Sequence, residues 1–356
     1  MIFTAFRFAT AEVDSTFHCY LLFGQSNMAG GCGGATDSSS VITGEDCETS
    51  SRIKVMAFRD CNQMSTPCKS LKLNRKQDEW YTAFPPFNNC GEGIGPADYF
   101  SKTLLDSVRE DITIGLIPWA FAGQNLGLFQ KNNTSFSAPE WAHPTAGKNV
   151  YKMMVERCKK AQEVGVIKGI LLHQGESNAG DGDGWVAKVK GIFNDLVKDL
   201  NLDENTPFIA GELLYSGCCA GLNKYVNKVP DQFPNAGVAS AEGLKMRPGD
   251  VWNAHFDCPG MRELGVRYAK EFLKLADQKW VPRKGSDITA KHHPSGITVH
   301  QIVQHSELID IFTFNGKKVL SIESESITAH ANKLQSGKVY LLKWRKTGKC
   351  NTMVGF

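Results

Sequence analysis

The sequence predicts an α/β fold: a central parallel sheet with helices on both faces, three layers in all, followed by a small all-β module. Three observations carry this expectation. Apolar runs of strand length alternate with stretches of helical period from residue 15 to about residue 278, the pattern of successive βα units. The run from Phe17 to Phe23 reads as a buried strand, and it stops at Gly24 ahead of a Gly-rich segment that reaches Gly34. Beyond residue 297 the helical period gives way to strand patterns around an Asn315-Gly316 turn.

Residues 1–14 form an N-terminal extension. Met1 to Ala11 is apolar and ends in an Ala-x-Ala step, but its apolar core is short and broken by Arg7, so it reads as the remnant of a signal peptide. After the first strand, residues 31–51 are rich in Gly, Ser, Thr and acids, as an exposed loop is. Ile53 to Phe58 alternates and reads as a second strand. Residues 59–92 look irregular, with Pro67, Pro85 and Pro86, and a loop of that length is usually functional or stapled down. Gly93-Ile94-Gly95-Pro96 opens a helix, with proline where the first turn tolerates it.

Ile112 to Pro118 is the third strand. Residues 149–164 are an amphipathic helix with Val150, Met153, Met154, Cys158 and Ala161 on one face. Val166 to Leu172 is a fourth strand that runs into His173-Gln174-Gly175-Glu176-Ser177. Trp185, Val189, Ile192, Phe193, Leu196, Val197 and Leu200 then recur at helical spacing. Pro207 to Leu214 and Ala236 to Ala241 are the fifth and sixth strands. The last helix, about 259–276, turns Met261, Leu264, Tyr268, Phe272 and Leu275 inward. Residues 279–296 read as a linker, with Pro282, Gly285, Pro294 and Gly296. In residues 297–356, Ile309 to Phe314 and Lys317 to Leu320 flank the Asn315-Gly316 turn, and Val339 to Trp344 is a further strand.

Composition narrows the function classes. Apolar residues make up 42% of the 356 and charged residues 22%, which describes a globular protein. The net charge of +3 and the lack of a basic stripe interleaved with aromatics argue against a nucleic-acid partner. No apolar run approaches the roughly 18 residues of a membrane span. Of eleven cysteines, six precede residue 91 and none forms a CxxC pair, so neither a zinc ribbon nor any other metal site is expected. Loop-borne cysteines such as Cys61 and Cys68 are disulfide candidates, and disulfides within 32–90 would place the protein in an oxidising compartment.

Three loops, carrying Ser26, Glu176 and His255, meet at one edge of such a sheet, where open α/β folds bind ligands. A serine needs a base within hydrogen-bond reach to act as a nucleophile, and His255, before the last helix, can supply it. Taken singly, a serine after a strand is a cap and a lone histidine a surface or core residue; together with the loop around Glu176 they read as a site.

Gly24-Gln25-Ser26-Asn27-Met28, Gly93-Ile94-Gly95-Pro96, His173-Gln174-Gly175-Glu176-Ser177 and His255-Phe256-Asp257 stand in the order of the SGNH hydrolases. They resemble the branch containing sialate O-acetylesterases and the acetylxylan esterases of carbohydrate esterase family 6. Gly123, Tyr151 to Ile170 and Arg262 to Ala269 agree, so the resemblance covers about residues 15–278. It implies a flavodoxin-like three-layer fold, Ser26 as nucleophile and His255 as base, with no metal or cofactor. The oxyanion hole it implies is the backbone N–H of Ser26, the backbone N–H of Gly95 and the side-chain amide of Gln174.

One position departs from the pattern. Many SGNH enzymes place an aspartate three residues before the histidine, where this chain has Trp252. Some members of this branch use the glutamate of QGES instead, so Glu176 is preferred as the acid that orients His255. Asp250 is the alternative, and Asp257 suits a helix cap. The activity implied is removal of acetyl groups from acetylated xylan. The alternatives are a sialate O-acetylesterase and a non-catalytic carbohydrate-binding protein, the latter opposed by the intact Ser26, His255 and Gln174. Ile309 to Leu320 and Leu334 to Leu342 resemble the C-terminal sorting domain of type IX secretion cargo, with Lys338 interrupting the usual Gly-x-Tyr spacing. That resemblance implies a secreted or cell-surface protein whose partners include a secretion machinery.

Overall fold

In the computed structural model the described residues are 13–34, 41–136 and 147–277, together with four strands of the C-terminal tail. The chain divides into two compact units, Met1–Arg283 and Lys284–Phe356.

The first unit opens with β1 (Phe17–Gly24), a one-turn helix α1 (Ser26–Ala29) and β2 (Ile53–Met56). A hairpin follows, β3 (Cys61–Ser65) and β4 (Lys72–Arg75), and then β5 (Trp80–Thr82), α2 (Pro96–Leu105) and β6 (Thr113–Ala120). The second half runs α3 (Val150–Gln162), β7 (Val166–His173), α4 (Asp183–Leu200), β8 (Phe208–Gly211), α5 (Asn223–Val226), β9 (Ala236–Ala239) and α6 (Cys258–Leu275).

Seven strands make one sheet in the order β5-β2-β6-β1-β7-β8-β9. Six are parallel, and the edge strand β5 runs antiparallel to β2, pairing Lys54 with Thr82 and Met56 with Trp80. The chain leaves β1 for one side of the sheet and returns to its other side at β7. The carboxyl ends of β1 and β7 therefore flank the point where strand order reverses, the crevice in which such sheets bind ligands.

Alternation along β1 divides the core. Cys19, Leu21 and Phe23 face α3 and α4, packing with Met154, Cys158, Trp185, Phe193 and Leu196. Tyr20 and Leu22 face α2 and α6, packing with Phe100, Leu104, Leu264, Tyr268 and Phe272. Both faces are covered, which is why the strands read as continuous apolar runs. Each such side chain contributes roughly 1.5–3 kcal/mol by leaving water. Asn149 caps α3 by accepting the Lys152 N–H at 2.8 Å. Asp257 caps α6 by accepting the Gly260 N–H at 2.7 Å.

The segment 59–92 is more ordered than its composition suggests. It contains the β3–β4 hairpin and β5, and Arg75 reaches back to the carbonyls of Phe84 and Pro86, each at 2.8 Å. Cys61 and Cys68 do not pair with each other: Cys61 bonds Cys90 and Cys68 bonds Cys47. A third disulfide, Cys32–Cys258, joins the loop after α1 to the first residue of α6. Cys19, Cys158, Cys218 and Cys219 are free thiols.

In the second unit β10 (Leu308–Thr313), β11 (Lys318–Glu323), β12 (Val339–Trp344) and β13 (Cys350–Val354) form an antiparallel sheet in the order β11-β10-β12-β13. β13 was not expected from the sequence. The expected Asn315-Gly316 turn and the linker 279–296 lie outside the described residues, as does most of the extension 1–14.

Candidate active site

The end of β1 is built for a sharp turn. Gly24 pairs with Ala120 on β6 and with His173 on β7. Its φ is 145°, and a Cβ there would lie 2.0 Å from the His173 carbonyl oxygen, so only glycine fits. The Gln25 N–H then donates to that same carbonyl at 3.0 Å. The N–H groups of Met28 and Ala29 both donate to the Gln25 carbonyl at 2.9 Å, closing α1 and placing Ser26 at its first position. The Ser26 N–H makes no hydrogen bond to the described residues.

His255 arrives from the other end of the chain. Its Nε2 lies 3.0 Å from Ser26 Oγ and its Nδ1 lies 2.8 Å from Asp250 Oδ1. Asp250 is an acceptor at every site: Oδ1 also takes Arg247 Nη2 at 2.8 Å, and Oδ2 takes the N–H groups of Ala254 and His255 at 2.8 and 2.9 Å. With Nδ1–H donating to the carboxylate, Nε2 carries the lone pair that faces the serine hydroxyl. Burial works against the Asp250 charge. The N–H donors, the imidazole and the Arg247 guanidinium outweigh it and hold the carboxyl well below the usual carboxylate range.

The structure therefore sets Asp250, not Glu176, against His255. Asp250 and His255 are joined by a tight turn. The Asn253 N–H bonds the Asp250 carbonyl at 3.1 Å, and Asn253 takes a left-handed φ of 51°, so the backbone wraps its own carboxylate. Trp252, at the position where many SGNH enzymes carry the acid, is turned out to solvent.

Glu176 lies behind the site. Its Oε1 accepts Asn27 Nδ2 at 2.6 Å, and the same Nδ2 donates to the Ala254 carbonyl at 2.9 Å. The Phe256 N–H donates to Asn27 Oδ1 at 3.4 Å. Asn27 thus fastens the serine turn to the histidine loop, and Glu176 supports it from beneath. Burial is the largest influence on the Glu176 carboxyl and pushes it up, against the Asn27 hydrogen bond and the nearby His255. Beside it His173 is fully buried and pushed down to about 3 by burial, and its Nε2 stands 3.9 Å from Glu176 Oε1.

A raised carboxyl stabilises the fold below its ordinary value of 4.5 and loses that contribution as pH rises through the folded value. Glu176→Gln, which still accepts from Asn27, is accordingly expected to gain melting temperature relative to the parent at pH 8 more than at pH 5. Its kcat on an acetyl ester is expected to fall by less than about tenfold, since a support two bonds away is replaced by an isostere. A loss beyond about a hundredfold in the folded variant would return the acid's role to Glu176.

Two expected oxyanion donors are engaged elsewhere. The Gly95 N–H donates to Asp98 Oδ2 at 2.9 Å, inside the first turn of α2. A Cβ on Gly95 would meet the Met28 carbonyl and Gly30, so its glycine serves close packing beneath α1. Gln174 is fully buried. Its Nε2 faces Gln25 Oε1 at 3.0 Å, the Gln124 carbonyl at 3.2 Å and Asn178 Oδ1 at 2.6 Å. Its orientation is forced, because the Trp185 indole N–H can only donate and does so to Gln174 Oε1 at 2.8 Å. Gln174 must then present its NH2 to Gln25, and Gln25 must answer with its oxygen, which also takes the N–H groups of Ser177 and Gly175 at 3.3 and 3.5 Å. The amide nitrogen of Gln25 is left without a partner among the described residues. Gln25 and Asn27 flank the serine within the quoted motif; their adjacency to Ser26 was the available signal.

Asp250, His255 and Ser26 follow one another in the hydrogen-bonded order of a serine-hydrolase triad, at the carboxyl edge of a doubly wound sheet. Residues 16–274 match the family model described as carbohydrate esterase, sialic acid-specific acetylesterase, and the chain belongs to that family. Among solved structures it is similar to a protein from Arabidopsis thaliana, 22% identical over 72% of this chain and 98% of that one, with a TM-score of 0.55. NanS is 14% identical over 74% of this chain and 98% of its own, with a TM-score of 0.50. A carbohydrate acetylesterase from Xanthomonas citri is 18% identical over 72% of this chain and 56% of its own, with a TM-score of 0.51. At these identities the likeness is one of fold, an SGNH-like α/β/α layering.

Proposed function

We propose that the protein is a serine esterase that removes acetyl groups from carbohydrate, with acetylated xylan as its substrate. The observation that carries the esterase reading is the Ser26–His255–Asp250 chain, with links of 3.0 and 2.8 Å. Ser26 Oγ attacks the acetyl carbonyl as His255 Nε2 takes its proton, while Asp250 holds the Nδ1–H and balances the imidazolium. The Ser26 N–H and the Gln25 side-chain NH2 are the donors for the negative charge that develops on the carbonyl oxygen. His255 then protonates the departing sugar oxygen, and a water it activates releases acetate from Ser26.

A second reading, an esterase for O-acetylated sialic acid, is favoured by the description of the matching family and by Arg247. Only Nη2 of that guanidinium is held by Asp250; Nη1 lies beside Gly31, where it could meet a sugar carboxylate. Acetate release from acetylated xylan and from O-acetylated sialic acid, measured on the same preparation, separates the two. A preference of at least about tenfold in kcat/KM for xylan is expected, and the opposite preference would give the substrate to the sialate reading. The three disulfides support a secreted or cell-surface protein. The tail is proposed as the module that a secretion machinery of type IX recognises.

A further inference from the structure

The loop that carries His255 holds an aromatic ring that folding does not explain. Trp119 and Trp185 are fully buried, whereas Trp252 is 69% exposed and Tyr215 49%. Val251 beside Trp252 is 83% exposed. The Asp250–Asn253 turn needs the Asp250 carboxylate inside, and any polar residue would serve at its two outward positions. A large apolar ring held in water three residues from His255 has no ring or hydrogen-bond partner among the described residues, and exposed apolar surface beside a site marks binding.

Tyr215 stands on the neighbouring segment and is rigidly held. Its hydroxyl donates to Glu212 Oε1 at 2.8 Å, and Glu212 also accepts Asn227 Nδ2 at 2.7 Å, Ser240 Oγ at 2.8 Å and the Ala241 N–H at 3.0 Å. The two segments are bonded together: the Cys218 N–H donates to the Asn253 carbonyl at 2.8 Å. Gly217 permits that approach, since a Cβ on it would lie 2.7 Å from the same oxygen. The loop that carries His255 therefore also displays Trp252, and it is bonded to the segment that carries Tyr215.

We propose that Trp252 is a stacking platform for a neutral sugar ring flanking the acetylated residue, so that the substrate is a glycan chain rather than a lone acetylated sugar. The inference rests on the esterase reading above and names the substrate class of the same site. A pyranose presents one face of C–H groups and a rim of hydroxyls. That face suits an open aromatic ring, which offers large contact area at low entropic cost, while the hydroxyls stay in water. The acetyl group would lie at Ser26 and the next ring on the platform.

The test compares the parent protein with Trp252→Ala and Trp252→Phe. On acetylated xylo-oligosaccharide, Trp252→Ala is expected to raise KM at least about tenfold while kcat moves by less than about twofold, the mark of lost ground-state binding. The ratio of kcat/KM on the oligosaccharide to that on 4-nitrophenyl acetate is expected to fall by about the same factor, and Trp252→Phe to recover most of it. Equal losses on both substrates, or a KM within about twofold of the parent, would overturn the proposal. Calorimetric titration with unacetylated xylohexaose separates this from the esterase reading. Binding by the parent that weakens at least about tenfold in Trp252→Ala supports the platform even if no glycan releases acetate, and absence of binding by the parent overturns it. An inactive parent on every acetylated glycan would defeat the esterase reading alone.

Discussion

Ser26→Ala is expected to lower kcat for hydrolysis of an acetyl ester by at least about 10⁴-fold while the protein remains folded, because a hydrolase that loses its nucleophile keeps only what orientation and charge stabilisation provide. The fold should be indifferent to the change. Ser26 Oγ contacts the His255 ring, whereas the turn around it is closed by backbone groups, the Gln25 N–H on His173 and the Met28 and Ala29 N–H groups on Gln25. Retention of more than about a tenth of the activity, with an unchanged melting temperature, would remove Ser26 from the mechanism.

Asp250→Asn is the second large effect, expected at about 10³–10⁴ in kcat. The carboxylate accepts two hydrogen bonds at each oxygen, and an amide offers only one oxygen. If the amide nitrogen takes the Oδ2 position it faces the Ala254 and His255 N–H groups, and the loop that aims the base is pried open. If it takes the Oδ1 position it faces Arg247 and the imidazole, and the wrong tautomer is favoured. Either arrangement puts donor against donor in a buried place, so a lower melting temperature should accompany the lost activity. The sign of its pH dependence follows from the depressed carboxyl. Its contribution is present above the unfolded value of about 3.9 and lost as pH falls through the folded one, so the deficit should narrow in acid. A loss below about tenfold would show that His255 does not depend on this partner.

Much of the fold was legible because burial on both faces writes strands as apolar runs and helices as stripes. β1, β6, β7 and the helices α3, α4 and α6 follow their patterns within a few residues. β3, β4 and β5 did not announce themselves, since they are short and partly polar; β3 and β4 are tied down by Cys47–Cys68, Cys61–Cys90 and Arg75, and β5 by its pairing with β2 at the sheet edge. Within the site, the pairing of Ser26 with His255 could be anticipated because each closes a loop at the same sheet edge. The partner of His255 could not be read from spacing. It depends on a left-handed Asn253 and on a carboxylate folded under its own backbone, which are properties of a turn and not of a count of residues. Gly95 did carry a local signal in Asp98, three residues on, where an acid closes back onto the residue that opens a helix.

The Cys32–Cys258 bond changes what kind of object the first unit is. It spans a sequence separation of 226, with Ser26 six residues before its first cysteine and His255 three before its second. The intervening chain is thus a covalent loop that holds the sheet strands from β2 to β9, and Ser26 and His255 both sit at its seam. A single break in any surface connection of that loop opens a circle without releasing a piece. The serine and the histidine stay tethered through the sulfur bridge, independently of the peptide bonds that separate them by 229 positions. The two halves of the candidate site are thereby neighbours in the covalent graph as well as in space.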